Sequence, residues 1–203
     1  MDTVVLATHN AKKLAELRRL VAEAHAGLRV LGLDDVASYP EPAETEPTFE
    51  GNALLKARAC VAATGLPALA DDSGLAVDAL NGMPGVRSAR WAGPGASDAE
   101  NLALLLRQTE DLPDDRRRAR FVCAMALVLP GGAEHVIVRD MPGRLVREPR
   151  GANGFGYDPA FVADGRSVTN AELSPAEKDA ISHRGKAVRA MVAHLRGLTG
   201  GAA

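Results

Sequence analysis

Ala68-Leu69-Ala70-Asp71-Asp72-Ser73-Gly74-Leu75 is a short apolar run that ends in two carboxylates, a hydroxyl and a glycine. A run of this kind, with Pro67 just before it, suits a strand buried on both faces. Loops at the ends of such strands are where α/β folds place reactive groups. Paired carboxylates beside backbone that can bend serve a divalent cation or a general base. Asp, Ser and Gly equally make an ordinary polar turn. If the strand instead runs on through Asp71 and Asp72, their side chains point to opposite faces. They could not then easily share one metal, and a second carboxylate would have to come from elsewhere.

Upstream, residues 4–7 (Val-Val-Leu-Ala) read as a buried strand, followed by Thr8-His9-Asn10-Ala11-Lys12-Lys13 and a helix. Leu14, Leu17, Leu20, Val21 and Ala24 recur at helical spacing and Gly27 marks the end. Thr8 or Asn10 can cap this helix. A helix start after a strand offers free N–H groups and positive partial charge to an anion, with Lys13 adding a full charge. The glycine-rich run of a P-loop is missing. Residues 28–33 suggest a second strand. Residues 34–47 carry Pro40, Pro42 and Pro47 among Glu41, Glu44 and Glu46, a loop and a possible source of the second carboxylate. Thr48 caps a helix to about Thr64, with Phe49, Ala53, Ala57, Cys60 and Val61 as its apolar stripe. Asn52 and Lys56, four apart, share a face that reads as solvent-exposed.

Downstream, Ser97 with Glu100 forms a capping box before a leucine-rich helix. Arg116, Arg117, Arg118 and Arg120 form a basic cluster without interleaved aromatics. It reads as a solvated strand entrance and only as weak support for nucleic-acid binding. Residues 121–129 and 134–139, joined by Gly131-Gly132, form a hairpin. Gly151-Ala152-Asn153-Gly154-Phe155-Gly156-Tyr157-Asp158-Pro159 is a loop in which glycines let backbone approach a ligand and an aromatic ring can stack on a flat base. Ser174 and Glu177 start another helix, with Pro175 in its first turn. Gly185 suggests a break there that frees His183 and Arg184.

The 203 residues suffice for one large domain or two small lobes. Hydrophobic content of 46%, charged content of 25% and a net charge of −2 are those of an ordinary globular chain. They exclude a global pull toward nucleic acid or anionic membranes. Cys60 and Cys123 lie in apolar surroundings and read as core thiols, which together with the lack of a basic signal region or a membrane-length apolar run leads to the expectation of a cytoplasmic protein.

Taken in order, these blocks resemble the inosine triphosphate pyrophosphatase family. They are Ala7-Thr8-His9-Asn10 with Lys13, Thr48-Phe49 with Asn52 and Lys56, Ala70-Asp71-Asp72-Ser73-Gly74-Leu75, Gly82-Met83-Pro84-Gly85 with Ser88-Ala89-Arg90, Gly154-Phe155-Gly156-Tyr157-Asp158-Pro159, and Ser182-His183-Arg184-Gly185. The resemblance covers residues 4 to about 195. It implies an α/β fold in which a long mixed β-sheet is flanked by helices, with two lobes around a nucleotide-binding cleft. One domain would span residues 1–203, with a flexible tail at 198–203, and the chain would form a homodimer. The implied reaction is Mg²⁺-dependent hydrolysis of non-standard purine nucleoside triphosphates (ITP, dITP, XTP) to the monophosphate and pyrophosphate. A Maf-like nucleotide pyrophosphatase, or a non-catalytic nucleotide binder, is the alternative.

The resemblance also assigns roles. Asp72 would be the general base and a metal ligand, with Glu44 as the second carboxylate. Thr8, His9, Asn10, Ala11, Lys12 and Lys13 would bind the substrate, with Thr8, Asn10 and Lys13 at its phosphates and Lys56 as a further cation. Ser73 would lie against the substrate and Phe155 would stack on the base. Gly156, Tyr157 and Asp158 would shape the base pocket, and Lys178, His183 and Arg184 would complete it. Asp71 is left with a supporting role.

Overall fold

The computed structural model describes residues 2–23 and 27–200. Among them, six strands form one mixed sheet in the order β2-β1-β3-β4-β5-β6. The strands are β1 (Thr3–Leu6), β2 (Arg29–Leu31), β3 (Ala68–Val77), β4 (Arg118–Val128), β5 (Glu134–Leu145) and β6 (Phe161–Ala163). The helices are α1 (Ala11–Glu23), α2 (Phe49–Thr64), α3 (Asp98–Gln108), α4 (Pro175–Ile181) and α5 (His183–Gly200). Strand β1 runs parallel to β2, with Thr3 opposite Arg29, and to β3, with Val5 opposite Ala68. Strand β5 is antiparallel to β6, with Gly143 opposite Ala163. The tight turn between β4 and β5 is closed by the Gly132 N–H donating to the Leu129 carbonyl at 2.8 Å. This is the expected α/β architecture.

Several boundaries differ from the sequence reading. Strand β2 stops at Leu31, because Leu33–Asp35 turns as a 3₁₀ segment in which the Gly32 N–H donates to Asp35 at 2.8 Å. Strand β3 does not end at the acids but continues to Val77, nearly all of it buried. The break near Gly185 falls instead at Ser182, whose extended ψ of 152° separates α4 from α5. Gly185 lies inside α5. That helix reaches Gly200, so a tail from 198 is helical at first, and residues 201–203 lie outside the described residues.

The chain divides into two compact units. The first comprises the chain up to Asp72, Cys123–Arg139 and the chain from Gly185 on. It has three layers. Leu17, Leu20 and Val21 of α1 and Val188, Met191, Val192 and Leu195 of α5 pack with Val4, Leu6 and Leu69 on one face of its strands. Ala53, Ala57 and Cys60 of α2 pack with Val5, Ala68 and Ala70 on the other. The alternation of Leu69 and Ala70 between these two clusters is the period-two pattern of a strand buried on both sides. Cys60 and Cys123 are both buried free thiols.

The second unit comprises Ser73–Val122 and Asp140–Arg184. Its core gathers Leu75, Val77, Leu105, Phe121, Met141, Tyr157 and Phe161. The expected solvated basic stretch is resolved residue by residue. Arg118 and Arg120 form exposed ion pairs with Asp164 and Asp78. Arg117 is only 1% exposed. Its guanidinium donates to the carbonyls of Thr109, Leu145 and Val146. It acts as an interior brace, because a planar fork of donors satisfies several carbonyls at once. No helix of the described residues is long and apolar enough to cross a membrane.

Candidate active site

The first cluster is built where β1 hands the chain to α1. Thr8 Oγ1 accepts from the Asn10 N–H at 3.2 Å, and Asn10 Oδ1 accepts from the Lys13 N–H at 3.2 Å. Asn10 is therefore the cap, and Thr8 orders the turn before it. Ala11 opens the helix with its side exposed, and the Lys12 side chain lies outside the described residues. His9 is exposed, 3.6 Å from the Glu41 carboxylate. Lys13 does not stand alone on the surface. Its ammonium is 2.8 Å from Asp71 Oδ2. Asp71 itself is 3% exposed. The contact pairs the Lys13 charge with Asp71, a pairing that sequence left open.

The second cluster lies on the opposite face of β3, toward α2. Thr48 caps α2 by accepting from the Gly51 N–H at 3.1 Å, and Gly65, in the left-handed region at φ 68°, ends it. Asn52 and Lys56 share the expected face, but that face is buried: Asn52 is 0% and Lys56 7% exposed. What covers it is the acidic loop. Lys56 Nζ is 2.8 Å from Glu44 Oε1 and 3.9 Å from Asp72 Oδ1. Asn52 Nδ2 donates to Asp72 Oδ2 at 3.1 Å. The two acids of the opening stretch thus point to opposite helices. Asp71 meets α1 and Asp72 meets α2, as strand geometry requires.

Electrostatics separates the groups. Burial pushes the Asp72 carboxyl up from its ordinary 3.8 to about 6; Lys56 opposes the rise and Glu44 adds to it. Burial pulls the Lys56 ammonium down, but Asp71, Asp72 and Glu44 more than offset this and leave it above its ordinary value. Three carboxylates (Asp71, Asp72, Glu44) surround two ammonium groups (Lys13, Lys56), a formal excess of one negative charge.

That arrangement fits a hard divalent cation. Glu44 and Asp72 already share a positive group between them, and their donors are all oxygen, the ligand Mg²⁺ prefers. Among the described residues no group of three or more His, Cys, Asp or Glu could hold a metal by itself. A cation here would draw its remaining ligands from water and substrate phosphates, which is how Mg²⁺ is usually held in nucleotide enzymes.

The second unit carries a different cluster. The loop before β6 presents Phe155 half-buried, with the Lys178 ammonium 5.0 Å and the Arg184 guanidinium 5.6 Å from its ring centroid. Both distances are within cation–π range. Asp158 ties the loop together. Its Oδ2 accepts from the Phe155 N–H at 3.0 Å and from Lys178, and its Oδ1 accepts from Asn170 at 3.1 Å. Gly154, at φ +74°, leaves room for that carboxylate where a Cβ would collide with it. The Gly156 N–H donates to Asp98 at 2.9 Å. Tyr157 is buried and donates its hydroxyl to the Ser88 carbonyl at 2.8 Å, and burial pushes its pKa well above the ordinary phenol value. His183 and Arg184, expected to be freed by a helix break, are both buried. The His183 ring stacks on Phe121 at 5.0 Å and 9°. Ser73 follows Asp72 on β3, half-buried.

Sequence reasoning left Asn52 out of the site, although its spacing from Lys56 on α2 was visible. It also left out Asp98 and Asn170, which no local signal marks.

A mixed sheet flanked by helices defines an α/β protein; its first unit carries lysine–carboxylate pairs on the two faces of β3, and its second carries a cationic clasp on an aromatic ring. The chain belongs to the Ham1 family, whose model matches residues 4–194. It is 60% identical over 199 residues to the dITP/XTP pyrophosphatase of Nocardia farcinica, covering 98% of this chain and 97% of that one. It is 60% identical over 203 residues to the protein of the same name from Cutibacterium acnes, covering 97% and 100%. The solved structure of a HAM1 protein from Coxiella burnetii aligns with a TM-score of 0.88 at 44% identity, over 96% of this chain and 98% of that one.

Proposed function

We propose that this chain hydrolyses non-standard purine nucleoside triphosphates, ITP, dITP and XTP, to the monophosphate and pyrophosphate with Mg²⁺. The observation that carries the reading is the pair of lysine–carboxylate clusters on the two faces of β3, Lys13–Asp71 and Lys56–Glu44–Asp72. A nucleoside triphosphate brings about four negative charges that must be neutralised before a nucleophile can approach phosphorus. The start of α1, with Thr8, His9, Asn10 and Ala11, and the charges of Lys12, Lys13 and Lys56 serve that end of the substrate. Glu44 and Asp72 hold Mg²⁺, which when bound neutralises phosphate charge. Asp72 is the general base. A carboxyl with a pKa of about 6 can take a proton from water near neutral pH.

A separate set of residues meets the base. Phe155 stacks on it, and Gly156, Tyr157 and Asp158 shape its surroundings. Lys178, His183 and Arg184 set its identity. Arg184 only donates hydrogen bonds, so it pairs with the C6 oxygen of hypoxanthine or xanthine and leaves the amino group of adenine facing a donor. A buried polar group left unpaired is strongly rejected. We further propose that the chain is a homodimer, and that it works in the cytoplasm, where its two buried free thiols persist.

The test is pyrophosphate release from ITP, dITP, XTP, ATP, GTP, dTTP and UTP with Mg²⁺. Fast turnover of the first three to the monophosphate is expected. Equal turnover of ATP, or release of orthophosphate, would overturn the proposal, and preference for dTTP or UTP would point to the Maf-like alternative. Arg184→Ala is expected to erode the preference for ITP over ATP. Light scattering of the purified chain checks the dimer.

A further inference from the structure

Asn52 has no role in the reading above, yet it is fully buried and its carboxamide makes three hydrogen bonds. Its Oδ1 accepts from the Glu46 N–H at 3.0 Å. Its Nδ2 donates to the Glu46 carbonyl at 3.2 Å and to Asp72 Oδ2 at 3.1 Å. One side chain thus holds both backbone groups of Glu46, in the acidic loop, and one oxygen of Asp72, in β3. Lys56, one turn further along the same face of α2, spans the same two elements through Glu44 and Asp72. A second observation concerns Gly51. A Cβ there would lie 2.7 Å from Glu46 Cβ and 2.9 Å from its Cγ. The first turn of α2 therefore lacks a side chain just where the loop must lie against it. Three prolines stiffen this loop but donate no hydrogen bonds to hold it in place. Its register toward Asp72 is set from outside, by α2.

We infer that Asn52 is a positioning residue, tying the acidic loop to Asp72 and so setting the separation of the Glu44 and Asp72 carboxylates for the divalent cation. The inference rests on the metal role proposed above for those two acids. Residues that orient metal ligands without touching the metal typically change affinity or activity by about 10–100-fold when removed. A residue that merely fills the interior lowers the amount of folded protein and leaves the cation affinity of the folded fraction unchanged.

The experiment compares the full-length wild type with Asn52→Ala and Asn52→Ser, the serine keeping one polar group in the buried position. Mg²⁺ is titrated calorimetrically into nucleotide-free protein, and ITP turnover is measured at saturating Mg²⁺. The expected result is Mg²⁺ affinity weakened about tenfold or more and kcat lowered about 10–100-fold, with KM for ITP within about threefold of wild type. Folded variants with wild-type Mg²⁺ affinity would overturn the assignment. Where neither variant folds, the wild type decides. Mg²⁺ should slow hydrogen exchange of the Glu46 amide, which Asn52 accepts, and unchanged exchange sinks the idea. Failure of the proposed reaction shows separately, as absence of ITP turnover in a wild type whose Mg²⁺ binding and Glu46 exchange still report on the tie.

Discussion

Replacing Asp72 by asparagine should make the protein more stable at neutral pH while abolishing turnover. The carboxyl is buried, and its pKa is about 6 in the folded chain against an ordinary 3.8. A pKa raised by folding means that the folded state holds the proton more tightly than the unfolded state. Stability is then full below 3.8 and is lost as pH rises through about 6. At about 1.4 kcal/mol per tenfold change, that difference corresponds to about 3 kcal/mol of stability lost by pH 7. Asparagine is nearly isosteric, carries no charge, and keeps an oxygen to accept from Asn52, so it removes the loss without leaving an orphaned donor. Urea denaturation of wild type and Asp72→Asn in chelator, at steps from pH 4 to 8, reads the difference directly. The two curves should meet near pH 4 and separate by up to about 3 kcal/mol at pH 7, equivalent to roughly 6–12 °C in Tm for a chain of this length. Taking the difference cancels carboxylates with the opposite slope, such as Asp164 beside Arg118 and Glu177 at the cap of α4. Mg²⁺ should narrow the gap by stabilising the wild type. An asparagine variant that is less stable than wild type at pH 7, or a gap that does not change with pH, would refute the argument.

Lys13→Met removes the ammonium 2.8 Å from the buried Asp71 carboxylate and should cost about 3 kcal/mol in denaturant unfolding; adding Asp71→Asn should recover most of that stability without restoring the KM for ITP. Phe155→Ala should raise the KM for ITP about tenfold or more, the loss of one base–aromatic stack, while Phe155→Tyr stays close to wild type. Arg117→Leu leaves the carbonyls of Thr109, Leu145 and Val146 without their donor and should lower stability by roughly 3 kcal/mol, read as a lower urea midpoint.

Local rules carried much of the fold. Thr48, Ser97 with Glu100, and Ser174 with Glu177 cap their helices as their spacing indicates. Capping is a matter of a few adjacent atoms, which sequence displays directly. The apolar stripe of α2 was equally plain. Its other face was not, because what buries Asn52 and Lys56 is an irregular, proline-rich loop with no periodicity to read. The extension of β3 through Asp71, Asp72, Ser73 and Gly74 was hidden for a related reason. Each of these residues is a turn former alone, and tertiary context overrides that tendency: the strand runs on past the end of β1, whose pairing with β3 reaches only Leu69. Gly185 drew the helix break toward itself. The chain breaks at Ser182, whose backbone is extended, while the glycine packs buried within α5. The candidate site residues were legible as blocks. Their pairings were not, since Lys13 with Asp71 and Asn52 with Asp72 depend on which helix covers which face.

The alternation along β3 makes the stretch sensitive to reading frame rather than to composition. Deleting one residue between Leu69 and Asp71 would move each acid by one place, and every following side chain would change faces. The carboxylate of Asp72 would then sit where Lys13 waits, that of Asp71 would take the place of Ala70, and Ser73 would stand where Asn52 and Lys56 now meet Asp72. The two positions have the same residue type but different neighbours, so a chain altered in this way would keep both acids and lose the carboxylate that Asn52 and Lys56 hold. The environment of a carboxylate here depends on the side of the sheet on which it emerges.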